Sequence, residues 1–399
     1  MRAQVLRRSA LALGAVGLAK LLISCVDLDS LGSGAQPDEG GLPDVVDGGA
    51  PEAAPDPCTH DQPLDKSTRS DGKEELPTFV LAIDSVSLDP DKVSPFDLDG
   101  VCTCDARPGA RDDGGARCTT SAITCDGDGG ADNALGAVAA LTAVSGGIEN
   151  IANRLITTGH RTVLIQIARY NGLANDDEVV VGTLIAAGIH EKACAASTLD
   201  GATGLYSAGR CGDDPWAIAP GALVGGVPLV VGTGYVRDHR LVVPRLNNAV
   251  LLPFNEGSTL DFRIPIITGQ LVPLREDLTP RAPGTTPTEK EKRLFRLEGG
   301  TLAGRVLASE GVATIGTFLP SSGTRLCQST TFGLIHDQLC GSADIQARPL
   351  VPDDPTKGCD ALSAALGFVA IPAVTSFVSD AGPPLTGCES VDAALLTCP

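Results

Sequence analysis

The chain has 399 residues, 43% of them hydrophobic but only 3% aromatic, and a formal charge of −19. That length and apolar content support a sizeable core, filled by Val, Ile, Leu and Ala rather than by rings, which points to a sheet-rich interior. The acidic balance argues against a nucleic-acid partner: phosphate backbones repel such a chain unless it gathers its basic residues, and the one local run, EKEKR at 289–293, alternates in sign.

The chain opens as an export signal. Arg2, Arg7 and Arg8 precede an apolar run from Ala10 to Ile23, with Ser24 before Cys25. The run is short of the ~20 residues a spanning helix needs and Lys20 interrupts it, so no permanent transmembrane helix is expected. LISC, ending at Cys25, resembles the lipobox of bacterial lipoproteins. The resemblance implies a signal peptide over 1–24, cleavage before Cys25 and acylation of its thiol; an ordinary cleaved signal and an uncleaved anchor are the alternatives. At about 0.8 kcal/mol per buried CH₂, several acyl chains hold a protein on a membrane. Cleavage there removes Arg2, Arg7, Arg8 and Lys20 and no acid, leaving −23.

From Cys25 to about residue 75 the chain is rich in Asp, Gly, Pro and Ala, as in GGLPDVVDGGAPEAAPDP, with no sustained apolar period. Such composition reads as a disordered acidic tether. A globular β-rich domain is expected over 76–399, starting with a buried strand in TFVLAIDSVSL at 78–88. A polar loop dense in Asp, Gly and Cys follows from Asp97 to Asp132. Helical spacing then runs from Ala134 to about Thr157, with Asp132 or Asn133 as N-cap and SGG at 145–147 as a break.

Strand-like runs succeed one another at 161–170, 177–187, 227–236, 240–246, 248–254 and 259–268, with further ones at 270–274, 293–299 and 301–307. VRDHR at 236–240 and NGLANDD at 171–177 look like hairpin connections. The last stretch, 310–399, is Cys-rich and partly helical, with helices expected at 311–319 and 359–371. Short strands between Gly, Asn and Asp turns predict a mainly β fold, a sandwich or jelly roll with peripheral helices, stabilised by disulfides.

Thirteen cysteines less Cys25 leave an even dozen, which an exported chain can oxidise. The spacing suggests Cys194 with Cys211, a local knot among Cys102, Cys104, Cys118 and Cys125, and a C-terminal set from Cys327, Cys340, Cys359, Cys388 and Cys398; Cys58 can join any of these. Zinc on the four loop cysteines is the alternative, but the spacing is not that of a standard finger.

Calcium takes six to eight oxygen ligands, so a site needs clustered carboxylates and a chain that can fold round the ion. DLDG supplies Asp97 and Asp99; DGDGGADN supplies Asp126, Asp128, Asp132 and Asn133. Disulfides between these segments would draw them together. The pattern is not an EF-hand: counted from Asp126, the sixth position is Ala131 and the twelfth Ala137, where glycine and a bidentate Glu are required. An ion clasp and a solvated Asp-Gly turn both remain open at this point, as do an ion site and a hairpin turn for Asn171, Asn175, Asp176 and Asp177. FDLDGVCTC and GGADNALG, with YNGLANDD, DPW, CGSADI and CDALS, resemble segments of uncharacterised secreted bacterial lipoproteins. The resemblance spans about residues 80–398 and implies a location and a build, with no known activity.

No G-x-S-x-G elbow, H-E-x-x-H or Walker A loop occurs, and His190-Glu191 lacks the second histidine of a zinc protease. His60, His160, His190, His239 and His336 are scattered. Trp216, the one tryptophan, either stacks on a ligand or anchors a loop on the core. The sequence thus predicts an exported protein, anchored through lipid at the outer membrane or cell surface. Its expected role is a non-catalytic binding or structural module for a surface ligand or protein partner, with Ca²⁺ ordering the acidic loop. A calcium-dependent carbohydrate binder and a secreted hydrolase are the competing classes.

Overall fold

The computed structural model describes residues 60–66, 69–89, 92–103, 118, 125–141, 147–254, 258–319, 324–348, 356–380, 388 and 393–398. The expected signal peptide, Cys25, Cys58 and Cys104 lie outside them.

Strands β1 (Phe79–Ser87), β2 (Val163–Ala168) and β3 (Asp176–Ile189) pair antiparallel in turn. After β4 (Asp214–Ile218) and a small hairpin of β5 (Leu223–Val224) and β6 (Val227–Pro228), β7 (Val230–Arg237) returns to β3. A two-residue turn, with Asp238 and His239 at φ 51° and 63°, leads to β8 (Arg240–Val243). β9 (Val250–Pro253) and β10 (Thr259–Pro273) pair with each other, and β10 also joins β8. β11 (Phe295–Leu307) and β12 (Ala361–Val378) follow, and β12 then pairs antiparallel with β1, from Val80 opposite Ala373 to Ser87 opposite Gly367.

The circuit β1-β2-β3-β7-β8-β10-β11-β12 is therefore a closed eight-stranded barrel, with β9 beside β10 and β4 bridging β3 and β12 outside it. Mainly β holds; the expected sandwich or jelly roll does not. Two packed sheets would leave exposed edges, and pairing the first strand to the last removes them.

Side chains alternate across the wall. Leu81, Ile83, Ile165, Val181, Leu297 and Leu366 belong to the buried central core. Near one end Phe79 stacks on Phe295 at 4.8 Å, and Tyr170 meets that ring edge-on at 5.6 Å. Three helices, α1 (Ala134–Leu141), α2 (Ile148–Thr157) and α3 (Ala308–Gly316), add Leu135, Ile151, Leu155 and Val312 to the same core. Because α2 leads into β2 and α3 leaves β11, they seal the opposite end. Eight strands enclose a bore that such side chains fill. Outside, Trp216 packs on Leu164, Leu184 and Ala186 as a core anchor, and Val93 and Phe96 cover Ala303 and Ala365.

Several expectations are corrected. The helix expected at 359–371 is β12: its alanines favour a helix locally, but Leu362, Ala364, Leu366 and Phe368 recur every second residue in the core, and closure against β1 and β11 overrides propensity. The runs at 259–268 and 270–274 are one strand, as are 293–299 and 301–307. The helix expected near 311–319 forms as α3, and a further helix, α4 (Phe332–Gly341), follows it. The tether expected to reach residue 75 ends sooner. Asp61 N donates to Gly129 O at 2.8 Å and Asp71 N to Asn175 O at 3.0 Å, so the chain is already docked at both positions.

Disulfides join Cys194 to Cys211, Cys327 to Cys388 and Cys340 to Cys398, as the spacing allowed. Cys118 instead pairs with Cys359, 241 residues away, so it leaves the local knot and Cys359 leaves the C-terminal set. Barrel closure explains the exchange by carrying the start of β12 to the acidic loop. Cys102 and Cys125 are also disulfide-bonded.

Candidate metal centre

DLDG turns because its own carboxylates satisfy its backbone. Gly100 N donates to Asp97 Oδ1 at 2.6 Å, and Val101 N to Asp99 Oδ1 at 2.9 Å. Asp132 reaches the same turn from across the loop: its Oδ2 accepts from Leu98 N at 2.6 Å while its own N donates to Phe96 O at 3.0 Å. Each carboxylate of Asp97, Asp99 and Asp132 thereby places one oxygen within 4.8 Å of the other two. Asp97 and Asp132 are only 4% and 3% exposed. Gly130, at φ +73°, closes over them; a Cβ there would stand 2.9 Å from Cys102 Sγ and 3.4 Å from Asp97 Oδ2.

Two further acids adjoin the three. Asp126 Oδ2 accepts from Thr103 N at 2.6 Å, and its carboxyl lies close enough to Asp132 for its charge to raise that group. Burial pushes Asp126 up to about 6, with the charges of Asp344 and Asp97 adding to it. Asp132 is pushed well above the ordinary 3.8, first by burial and then by Asp99, Asp126 and Asp344. Burial likewise lifts Asp344 to about 6. Crowded carboxyls of this kind hold protons where no cation is at hand, and a divalent ion takes the protons' place. On the rim, His60 Nδ1 bonds Asp97 Oδ2, Gln62 Nε2 donates to Asp97 O at 2.9 Å and Arg305 Nη2 to Leu98 O at 2.7 Å.

The neighbouring polar groups have a structural task. β12 extends beyond the end of β1, and side chains complete its open edge. Asp344 accepts from Ser363 N at 2.8 Å and from Ser363 Oγ at 2.5 Å, and Ser363 Oγ accepts from Ala134 N at 2.9 Å. Asn133 Oδ1 accepts from Ala365 N at 3.0 Å and from Gly136 N at 3.1 Å, capping α1 and β12 together.

Among the described residues, then, Asp97, Asp99 and Asp132 form the one group of three arranged for a metal. Asp126 abuts it through Asp132. Asp128 is exposed in the single turn Asp128–Gly130, and Asn133 faces β12. Asn171, Asn175 and Asp176 lock a connection between β2 and β3: Asn171 N donates to Asp176 Oδ2 at 2.7 Å, and Asn175 Nδ2 to Asp71 Oδ2 at 2.9 Å. His336 bonds Asp337 and Thr397 O, and His160 bonds Thr158. Sequence reasoning missed His60 and Asp344, which lie outside both acidic segments and reach the loop only through the fold. The ligand chemistry on offer is all oxygen, which suits a hard divalent cation.

No helix among the described residues is long and apolar enough to cross a membrane. Compared with known proteins, the chain matches no family model, no curated protein and no solved structure.

Proposed function

We propose that this is an exported lipoprotein, held at the outer membrane or cell surface by acylated Cys25, whose barrel is a non-catalytic binding or structural module. In this reading Ca²⁺ sits among Asp97, Asp99 and Asp132, with backbone carbonyls and water completing its shell, and fastens the acidic loop to the barrel wall. The observation that carries the cation is the convergence of three carboxylates, two of them buried, each with one oxygen already fixed by a backbone amide. Calcium fits better than magnesium because three carboxylates from an irregular loop suit its variable coordination more than a strict octahedron. Four disulfides among the described residues agree with an oxidising compartment. The carbohydrate alternative loses its aromatic platform, since Trp216 is 2% exposed.

The test is thermal unfolding of the oxidised mature protein in EDTA, in Ca²⁺ and in Mg²⁺, alongside intact-mass analysis of membrane-derived material. The reading expects a Ca²⁺-specific rise in Tm and an acylated Cys25 at the N-terminus. Equal Tm in all three buffers sinks the cation, and an unacylated chain sinks the anchor.

A further inference from the structure

On the outer wall of β8 and β10, next to the acidic loop, lies a cleft of about 290 Å³. The register places Thr268 opposite Val242 and Gln270 opposite Arg240. Since Leu241, Val243 and Ile267 belong to the central core, alternation turns Arg240 and Thr268 outward. Chain from 61 to 64 forms one wall and 94 to 96 the other. The first wall is pinned by the Tyr235 hydroxyl donating to Leu64 O and by Arg237 Nη1 donating to Asp65 O at 3.2 Å. The second is pinned by Asp132 N on Phe96 O.

Three polar groups line this cleft without partners among the described residues. Thr268 is 1% exposed, yet its Oγ1 has no hydrogen bond. Arg240 and Asp61 line the same space, and among the described residues neither side chain makes an ion pair or a hydrogen bond. Other arginines on the surface do pair with acids, as Arg169 with Glu178 and Arg210 with Asp84, both at 2.6 Å. An acid and a base that share a cleft unpaired, over an unpartnered buried hydroxyl, match a ligand carrying both charges.

We propose that the cleft binds a small zwitterion of the amino-acid type. Its carboxylate lies on Arg240, whose planar fork suits that group, and takes a bond from the Thr268 hydroxyl. Its ammonium faces Asp61, and a small side chain rests on Leu64 and Phe96. The volume lies at the bottom of the roughly 300–1,000 Å³ range of ligand pockets, which fits a molecule of this size. A dianion such as phosphate is disfavoured by Asp61 and by the chain charge of −19. This site adjoins the metal centre, since Asp97 N donates to Asp61 O at 2.8 Å, but none of the three metal-site carboxylates lines it.

The experiment is isothermal titration of the full mature protein with each common L-amino acid, in EDTA and again in Ca²⁺, so that a failure of the cation reading leaves this one legible. The best ligand is then compared with its N-acetyl and methyl-ester forms. At least one amino acid should bind in both buffers, and Arg240→Gln should weaken it about tenfold or more. Asp61→Asn should weaken the free amino acid more than its N-acetyl form. Thr268→Val, which removes a hydroxyl that bonds nothing in the free protein, should melt like the parent and bind more weakly. Absence of heat with every amino acid would overturn the proposal, as would binding indifferent to Arg240→Gln in a protein that melts normally.

Discussion

Replacing Asp344 by Asn should reverse its effect on stability between acid and alkaline conditions. The Asp344 carboxyl is 6% exposed and burial raises it from 3.8 to about 6. Because the folded state holds this proton more tightly than the unfolded chain does, the stabilisation is fully present below 3.8 and is lost as pH rises through about 6. The difference corresponds to about 3 kcal/mol at slightly alkaline pH. Asparagine keeps an acceptor for Ser363 N but leaves the Ser363 hydroxyl without the 2.5 Å bond it makes to Asp344 Oδ2, a loss of about 1 kcal/mol. In EDTA the variant should therefore be about 2 kcal/mol more stable than the parent at about pH 8, and about 1 kcal/mol less stable well below pH 4. Urea unfolding at the two pH values reads the difference directly, and comparing two chains cancels the other carboxylates except Asp126 and Asp132, which lose the repulsion of the Asp344 charge and add to the gain at alkaline pH. A variant offset from the parent by the same amount at both ends would refute the burial argument.

Further predictions test the frame around the loop. Gly159, at φ +71°, has room for a Cβ only 1.9 Å from Tyr206 O, so Gly159→Ala should cost about 3–5 kcal/mol. Gly147→Ala meets nothing within 4 Å, but φ +65° and ψ 149° form a backbone conformation essentially reserved for glycine, so it should cost about 1–3 kcal/mol in the same denaturant assay, all of it from the backbone. Asn133→Ala removes the acceptor of both Gly136 N and Ala365 N, and about 2–4 kcal/mol should go with it. Replacing both Cys118 and Cys359 by Ser opens a closure spanning 241 residues and should lower stability by about 4–5 kcal/mol, measured by guanidinium unfolding without reductant.

What the sequence made legible was local. VRDHR became the tight turn from β7 to β8, NGLANDD the connection from β2 to β3, and Cys194 to Cys211 a bridge within one loop. Within the acidic loop, Asp97, Asp99 and Asp132 were visible because Asp and Gly so close together have few other uses. What stayed hidden depends on one distant event, the pairing of β1 with β12. That pairing makes a barrel instead of a sandwich, turns an alanine-rich segment into a strand, and carries Cys359 and Asp344 to the loop. No short-range pattern encodes it, since strand alternation specifies which face is buried but not which strand lies alongside. The cleft was equally invisible, because Asp61 fell in the expected tether and Arg240 and Thr268 meet only through the β8–β10 register.

The most direct measurement is equilibrium dialysis of the chelator-stripped, oxidised protein against labelled Ca²⁺, beside Asp97→Asn and Asp132→Asn. The account predicts one ion per parent chain and sharply weakened binding in both variants while they remain folded. A parent that takes up no ion at millimolar Ca²⁺, or variants that bind as the parent does, would contradict it.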